Sequence, residues 1–180
     1  MELMVRCALP DRPGELAKIA SAISAFGGDI QAVDVVEHSD GRVLDDIELL
    51  LDPDLASPLL DRLRTLEGVE VIHAGPSRGR PGDAVTRLSI GVESLLDGSA
   101  ESGRGLRTLL GGLLRARSAE FVPSDAVPHD DPCALALDAG HDVLLLLRDY
   151  RFTSTERQRA EALLRLALRA VAAVRDAQPA

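Results

Sequence analysis

Two segments of the chain carry residue types that could do chemistry together: Leu9-Pro10-Asp11-Arg12-Pro13-Gly14-Glu15-Leu16 and Gly27-Gly28-Asp29-Ile30. The first closes a strand-like stretch and opens a helical one. A helix N-terminus leaves backbone N–H groups unpaired and carries partial positive charge, so a carboxylate can dock there. Gly14 has no Cβ and lets a ligand approach the backbone, while Pro13 stiffens the entry. Asp11 can accept a hydrogen bond from an ammonium group. An amino acid presents both charges, and this loop is chemically suited to one.

The remaining candidates are weaker. His129-Asp130-Asp131 and His141-Asp142 have metal-ligand residue types, but nothing fixes their mutual geometry. Cys7 and Cys133 form neither a metal spacing nor a disulfide framework. No metal and no cofactor is expected. Asp45, Asp46 and Glu48 cluster on one strand, and paired carboxylates can perform acid–base work. No His or nucleophile accompanies them, so an exposed sheet face is expected there. The sequence has no nucleophile elbow, P-loop or dinucleotide fingerprint. The chain is read as non-enzymatic.

The elements that must position the loop follow from periodicity. Residues 2–9 alternate, with Leu3, Val5, Cys7 and Leu9 on one face, as in a half-buried strand. Leu16, Ile19, Ala20, Ile23 and Phe26 form a helical stripe that Gly27-Gly28 ends. Ile30 to Val36 is a second strand, Ser39-Asp40-Gly41 a hairpin turn, and Val43 to Leu51 a third strand. In that third strand Val43, Ile47, Leu49 and Leu51 share a face, with Asp45 as the exception. Ser57-Pro58 reads as a helix start, with Leu59, Leu60, Leu63 and Leu66 as its stripe and Gly68 as its stop. Val69, Val71 and His73 alternate as a fourth strand. The order β-α-β-β-α-β predicts an α+β, ferredoxin-like sandwich: an antiparallel sheet with both helices on one face.

Later residues are harder to read. Pro76 to Asp83 is rich in Pro, Gly and Ser and marks a linker, placed at 76–85 between domains 1–75 and 86–180. Residues 86–96 are apolar and ambiguous, and 97–105 are polar. Leu106 to Leu114 looks helical; Ala119 to Val122 and Ala134 to Leu137 look like short strands. Val143 to Leu147 suits a strand buried on both faces. Thr153-Ser154-Thr155-Glu156 has capping-box spacing and opens a long helix with Leu163, Leu164, Ala167, Leu168, Val171 and Val174 as its apolar surface.

Composition bounds the partners. The net charge of −9 repels phosphate backbones, and aromatic residues at 2 % are too few for base-stacking platforms, so nucleic acid is not expected. No apolar run reaches the ~20 residues that span a bilayer, and the N-terminus does not read as a signal peptide. A cytoplasmic protein, without a membrane partner, is the expectation.

The loop Asp11-Arg12-Pro13-Gly14-Glu15-Leu16, the helix through Ile19-Ala20, and Gly28-Asp29-Ile30 entering strand two resemble the ACT domain family over roughly residues 2–75. The resemblance implies a regulatory domain whose effector, typically an amino acid, binds between the first loop and the start of strand two, often at a subunit interface. Carried onto this chain, the implied contacts are Asp11, Arg12, Pro13, Gly14, Glu15, Leu16, Asp29, Ile30 and Gln31. Asp29 stands where an Asn is common, and a carboxylate cannot donate a hydrogen bond to a ligand carboxylate. Val143-Leu144-Leu145-Leu146-Leu147-Arg148, Arg151-Phe152-Thr153 and Glu156 resemble the closing strand–loop–helix of a degenerate GAF domain, implying a small α/β second domain. The expected function is amino-acid-responsive control of a partner protein by a homodimer. The alternatives are a regulatory subunit of an amino-acid biosynthetic enzyme of the acetohydroxyacid synthase type, and a dimerisation module without ligand.

Overall fold

The computed structural model describes residues 1–77, 88–93, 102–140 and 142–177. The chain divides into two units, Met1–Gly79 and Arg80–Ala180. The break falls within the stretch read as a linker, of which residues 78–85 lie outside the described residues.

The first unit runs β1 (Glu2–Pro10), α1 (Glu15–Ala25), β2 (Asp29–Ser39), β3 (Arg42–Leu50), α2 (Ala56–Arg64) and β4 (Glu70–Pro76). All strand pairs are antiparallel, in the order β2-β3-β1-β4. This is the ferredoxin-type arrangement the element order implies. Its main core joins Leu3, Val5, Cys7 and Leu9 of β1 to Ile47 and Leu49 of β3, Ile19 and Ile23 of α1, and Leu59 and Leu63 of α2. Burying each such side chain contributes roughly 1.5–3 kcal/mol. The β2–β3 turn places Asp40 at φ 53° and Gly41 at φ 71°, the two positive values a tight hairpin turn demands.

Four local expectations change. The face of β1 opposite the helices is also buried: Met4, Arg6 and Ala8 are enclosed, with Arg6 paired to Asp46 and Ala8 packed with Val36, Leu44 and Ile72 of the neighbouring strands. The third strand does not present an exposed acidic face, since Asp45 and Asp46 are both buried. Asp46 takes a bidentate pair from Arg6, Nε to Oδ1 at 2.6 Å and Nη2 to Oδ2 at 2.8 Å. Helix α2 starts from Asp52-Pro53 rather than Ser57-Pro58: Asp52 Oδ1 accepts from Asp54 N at 3.1 Å and a short 3₁₀ turn, Pro53–Leu55, leads into the helix. The two segments share the cap-then-proline pattern, and the earlier one wins because its carboxylate reaches a free N–H. In β4, a bulge sets Val71 opposite Cys7 but His73 opposite Arg6, so His73 leaves the face that Val71 shares with the core.

The second unit holds a helical segment at residues 88–93, α3 (Ser102–Leu113), β5 (Ser118–Val122), β6 (Ala134–Asp138), β7 (Val143–Leu147) and α4 (Ser154–Ala177). The rest of the ambiguous stretch 86–96, and residues 97–101 of the polar stretch, lie outside the described residues. The three strands pair antiparallel in the order β5-β7-β6. β7 is buried on both faces, although the sheet is antiparallel. Leu106, Leu110, Leu135, Leu144, Leu146 and Leu164 make the core. On α4, Ala160, Leu164 and Ala167 face that core while Leu168 is exposed, so the apolar stripe is narrower than its spacing suggests.

The capping box at the head of α4 closes reciprocally. Glu156 N donates to Thr153 Oγ1 at 3.0 Å, and Thr153 N donates to Glu156 Oε2 at 2.9 Å. Arg148, at the end of β7, completes this centre. Its Nε donates to Tyr150 O, Nη1 to Leu114 O and Glu156 Oε1, and Nη2 to Arg151 O and Glu156 Oε2, at 2.5–3.0 Å. The guanidinium also stacks against the Tyr150 and Phe152 rings, 4.1 and 3.9 Å from their centroids.

Candidate functional site

β1 delivers the loop and α1 carries it away. Asp11 N donates to Gly41 O at 2.9 Å, which ties the loop to the β2–β3 turn. Asp11 Oδ2 lies 3.2 Å from His38 Nδ1 near the end of β2. Arg12 N donates back to Pro10 O. Gly14 is the N-cap of α1 at φ 92°, a left-handed conformation that favours glycine, and no side chain caps the helix. The helix N-terminus therefore keeps its capping position for another acceptor. Arg12 and Pro13 are exposed, Leu16 presents an exposed apolar side chain, and Glu15 is held by Lys18 Nζ at 2.8 Å.

The start of β2 is built differently. Gly28 follows α1 so closely that an added Cβ would stand 2.6 Å from Ile23 Cγ2, so only glycine lets the chain turn into the strand there. Asp29 is exposed and accepts from Gln31 Nε2 at 2.5 Å. The Gln31 amide thus occupies a carboxylate oxygen at the position whose lack of a donor the sequence raises. Ile30 packs on the core.

The strand register fixes where these two halves stand. Asp29 pairs with Leu50, which pairs with Glu2; Ser39 pairs with Arg42, which pairs with Pro10. The loop Asp11–Leu16 therefore follows one end of the sheet, and Asp29–Gln31 begin at the other. Eight residues of β3 separate the two rows, about 27 Å at the rise of an antiparallel strand. One protomer brings Asp11, Arg12, Pro13, Gly14, Glu15 and Leu16 together with His38, and brings Asp29, Ile30 and Gln31 together elsewhere. His38 is absent from the sequence-derived set, although its position two residues before the Asp-Gly turn places it beside the loop.

Asp45 is buried where an exposed acidic face is expected. Asp45 on β3 sits opposite Cys7, in the same face as the Val43–Leu9 and Ile47–Val5 pairs. It is 3 % exposed, and its Oδ1 has no hydrogen-bond partner among the described residues. Burial pushes its carboxyl above the ordinary range; nearby His38 works against that shift, and the charges of Asp46 and Asp11 add to it. The signal was present in the sequence as the single polar break in an apolar register.

Among the described residues no group of three His, Cys, Asp or Glu side chains is placed to hold a metal ion; His141 lies outside them. Asp131, instead, accepts from Cys133 N at 2.8 Å within its own turn. No described helix is long and apolar enough to cross a membrane.

The antiparallel β2-β3-β1-β4 sheet, with α1 and α2 packed into one core on it, defines a ferredoxin-type α+β domain. Residues 3–68 match the family model described as the ACT domain, and the first unit is ACT-like on both grounds. No curated protein matches the chain. Similar solved structures include the ACT domain of GTP pyrophosphokinase from Chlorobium tepidum, 20 % identical, covering 46 % of this chain and 92 % of that one, with TM-score 0.34. The ligand-free regulatory subunit of aspartate kinase from Thermus thermophilus is 14 % identical over 94 % of this chain and 91 % of that one, with TM-score 0.39. The Thermus flavus subunit is 15 % identical over 94 % and 92 %, also with TM-score 0.39. None of these findings supports the GAF resemblance of the second unit. The residues behind that resemblance, Arg148, Phe152, Thr153 and Glu156, form the buried centre at the head of α4.

Proposed function

We propose that this chain is a non-enzymatic, amino-acid-responsive regulator whose effector site is completed between two copies of the ACT-like unit. The observation that carries this is the division of the site. The loop and the start of β2 lie at opposite ends of one sheet, yet β2 is an edge strand carrying exposed Val33 and Val35, the latter 52 % exposed. An open edge invites pairing with another strand, and symmetric dimers are the commonest oligomers. Antiparallel self-pairing of β2 centred on Asp34 sets Asp29 of the partner subunit opposite Ser39, and Gln31 of the partner subunit opposite Glu37. Both then flank His38, which already touches Asp11. The ligand carboxylate would meet the uncapped α1 N-terminus, and its ammonium group Asp11.

A regulatory subunit of the acetohydroxyacid synthase type needs a second ferredoxin-like domain. The described part of the second unit has a three-stranded sheet instead, which favours a regulator with one such domain.

A mixing experiment tests the divided site. Asp11→Ala and the double variant Asp29→Ala/Gln31→Ala should each lose the thermal stabilisation that an effector gives. Mixed dimers of the two should regain binding, because one of their two sites has both halves intact. Stabilisation that survives in either variant, or mixtures that stay inert while sedimentation shows mixed dimers, would place the site elsewhere. Ligand at one hundred times its dissociation constant adds about 2.7 kcal/mol to stability, enough to shift melting by several degrees.

A further inference from the structure

Three carboxylates around the loop end of the first unit have basic partners. Glu15 has Lys18 at 2.8 Å, Asp46 has Arg6 at 2.6 Å, and Asp11 has His38 at 3.2 Å. Asp45 pairs with no cation among the described residues, and its Oδ1 is buried without any partner. A buried carboxylate is costly unless it is paired or neutralised.

Its surroundings are specific. Asp45 lies on the sheet face that α1 covers, in the row formed by Val35, Asp45, Cys7 and Val71. That row is two residues inside the Val43–Leu9 pair, where β1 gives way to the loop; the offset is about 7 Å at the strand rise. The groups facing it are Cys7 from β1, His38 from β2, Asp46 beside it on β3 and Asp11 from the loop. Exposed Leu16 and Val35 stand on α1 and β2, the two elements that border this region.

We propose that Asp45 is the specificity-determining residue of the effector site and selects an amino acid with a cationic side chain. This rests on the effector reading given above. The main-chain charges of the ligand are met at the loop, by the uncapped α1 N-terminus and Asp11. Asp45 lies one aliphatic side chain deeper, so a terminal ammonium or guanidinium group reaches it, a short side chain does not, and a neutral one of the same length brings it no charge. The bound cation supplies the partner that Oδ1 lacks. Burial raises the carboxyl in the empty site, so cation binding and deprotonation of Asp45 favour each other, and affinity rises with pH through that titration.

The test uses the full chain with lysine, ornithine and arginine against norleucine, which keeps the length and loses the charge. The cationic amino acids should raise the melting temperature and norleucine should not. Calorimetry of lysine binding in two buffers of different ionisation enthalpy, repeated as the pH is lowered into the carboxylate range, should show proton release growing as the pH falls. Asp45→Asn, a near-isosteric variant, should weaken lysine binding by about tenfold or more, the loss expected for one charge-assisted hydrogen bond, and should abolish the proton release. If norleucine stabilises as well as lysine, or Asp45→Asn binds lysine unchanged, Asp45 is not the selector and the effector reading stands. If none of the four stabilises the wild type, Asp45 is not the selector, and the effector reading falls only if the remaining common amino acids fail as well.

Discussion

Arg148 in the second unit and Asp45 in the first are buried to nearly the same degree, 4 % and 3 % exposed, and their surroundings could hardly differ more. Every N–H of the Arg148 guanidinium donates to an oxygen, and two aromatic rings flank its plane. Asp45 keeps an oxygen with no partner at all among the described residues. A buried charge saturated by its own chain specifies structure, because nothing is left over to offer a ligand. A buried carboxyl left unsaturated beside a loop costs stability and still has an oxygen to offer a ligand, which is the ground for the proposal that Asp45 serves binding.

The contrast can be broken first at Arg148. Arg148→Ala leaves Glu156 buried without its cation, which should cost about 3–5 kcal/mol. Tyr150 is the chain's single tyrosine and there is no tryptophan, so intrinsic fluorescence during urea unfolding reports on the second unit alone. A variant with an unchanged midpoint would show that the saturated network contributes nothing. Thr153→Ala removes the reciprocal cap and should cost about 0.5–2 kcal/mol by the same readout. Asp45→Asn has the opposite sign. A carboxyl raised in the folded state contributes stability that is present below its unfolded value and lost as pH rises through its folded one. The variant should therefore gain about 1 kcal/mol at pH 7, and the gain should vanish as the pH falls through the ordinary carboxylate range. Thermal melts at several pH values, followed by circular dichroism, check this; a gain that persists in acid would mean that charge burial is not its cause.

Much of this arrangement could be read from residue patterns, and the failures share a cause. The β-α-β-β-α-β order, the Asp40-Gly41 turn and the Thr153–Glu156 box are local, and local chemistry decides each of them. What was misread depends on neighbours distant in sequence. Arg6 looks solvent-facing until Asp46 of β3 answers it, and Ala8 until Val36, Leu44 and Ile72 gather around it. His73 looks core-facing until the bulge opposite Arg6 turns it away. The loop residues 11–16 and residues 29–31 look adjacent in a list of contacts, and only the strand register shows that α1 and β2 carry them to opposite ends. Asp45 broke an apolar pattern visibly, but its meaning needed the burial of its oxygen.

Cys7, the cross-strand neighbour of Asp45, gives the molecule a built-in clock. Its thiol is fully buried and pushed up to about 12, by burial first and then by the charges of Asp45 and Asp46. Only the thiolate is an effective nucleophile, so an alkylating reagent at neutral pH cannot label Cys7 while β1 stays in the sheet. Cys133, the other cysteine, is only half-buried and marks the reagent's baseline reactivity. The rate at which a second label appears by mass spectrometry thus counts the excursions of the central strand out of its sheet, with no substitution introduced anywhere in the chain.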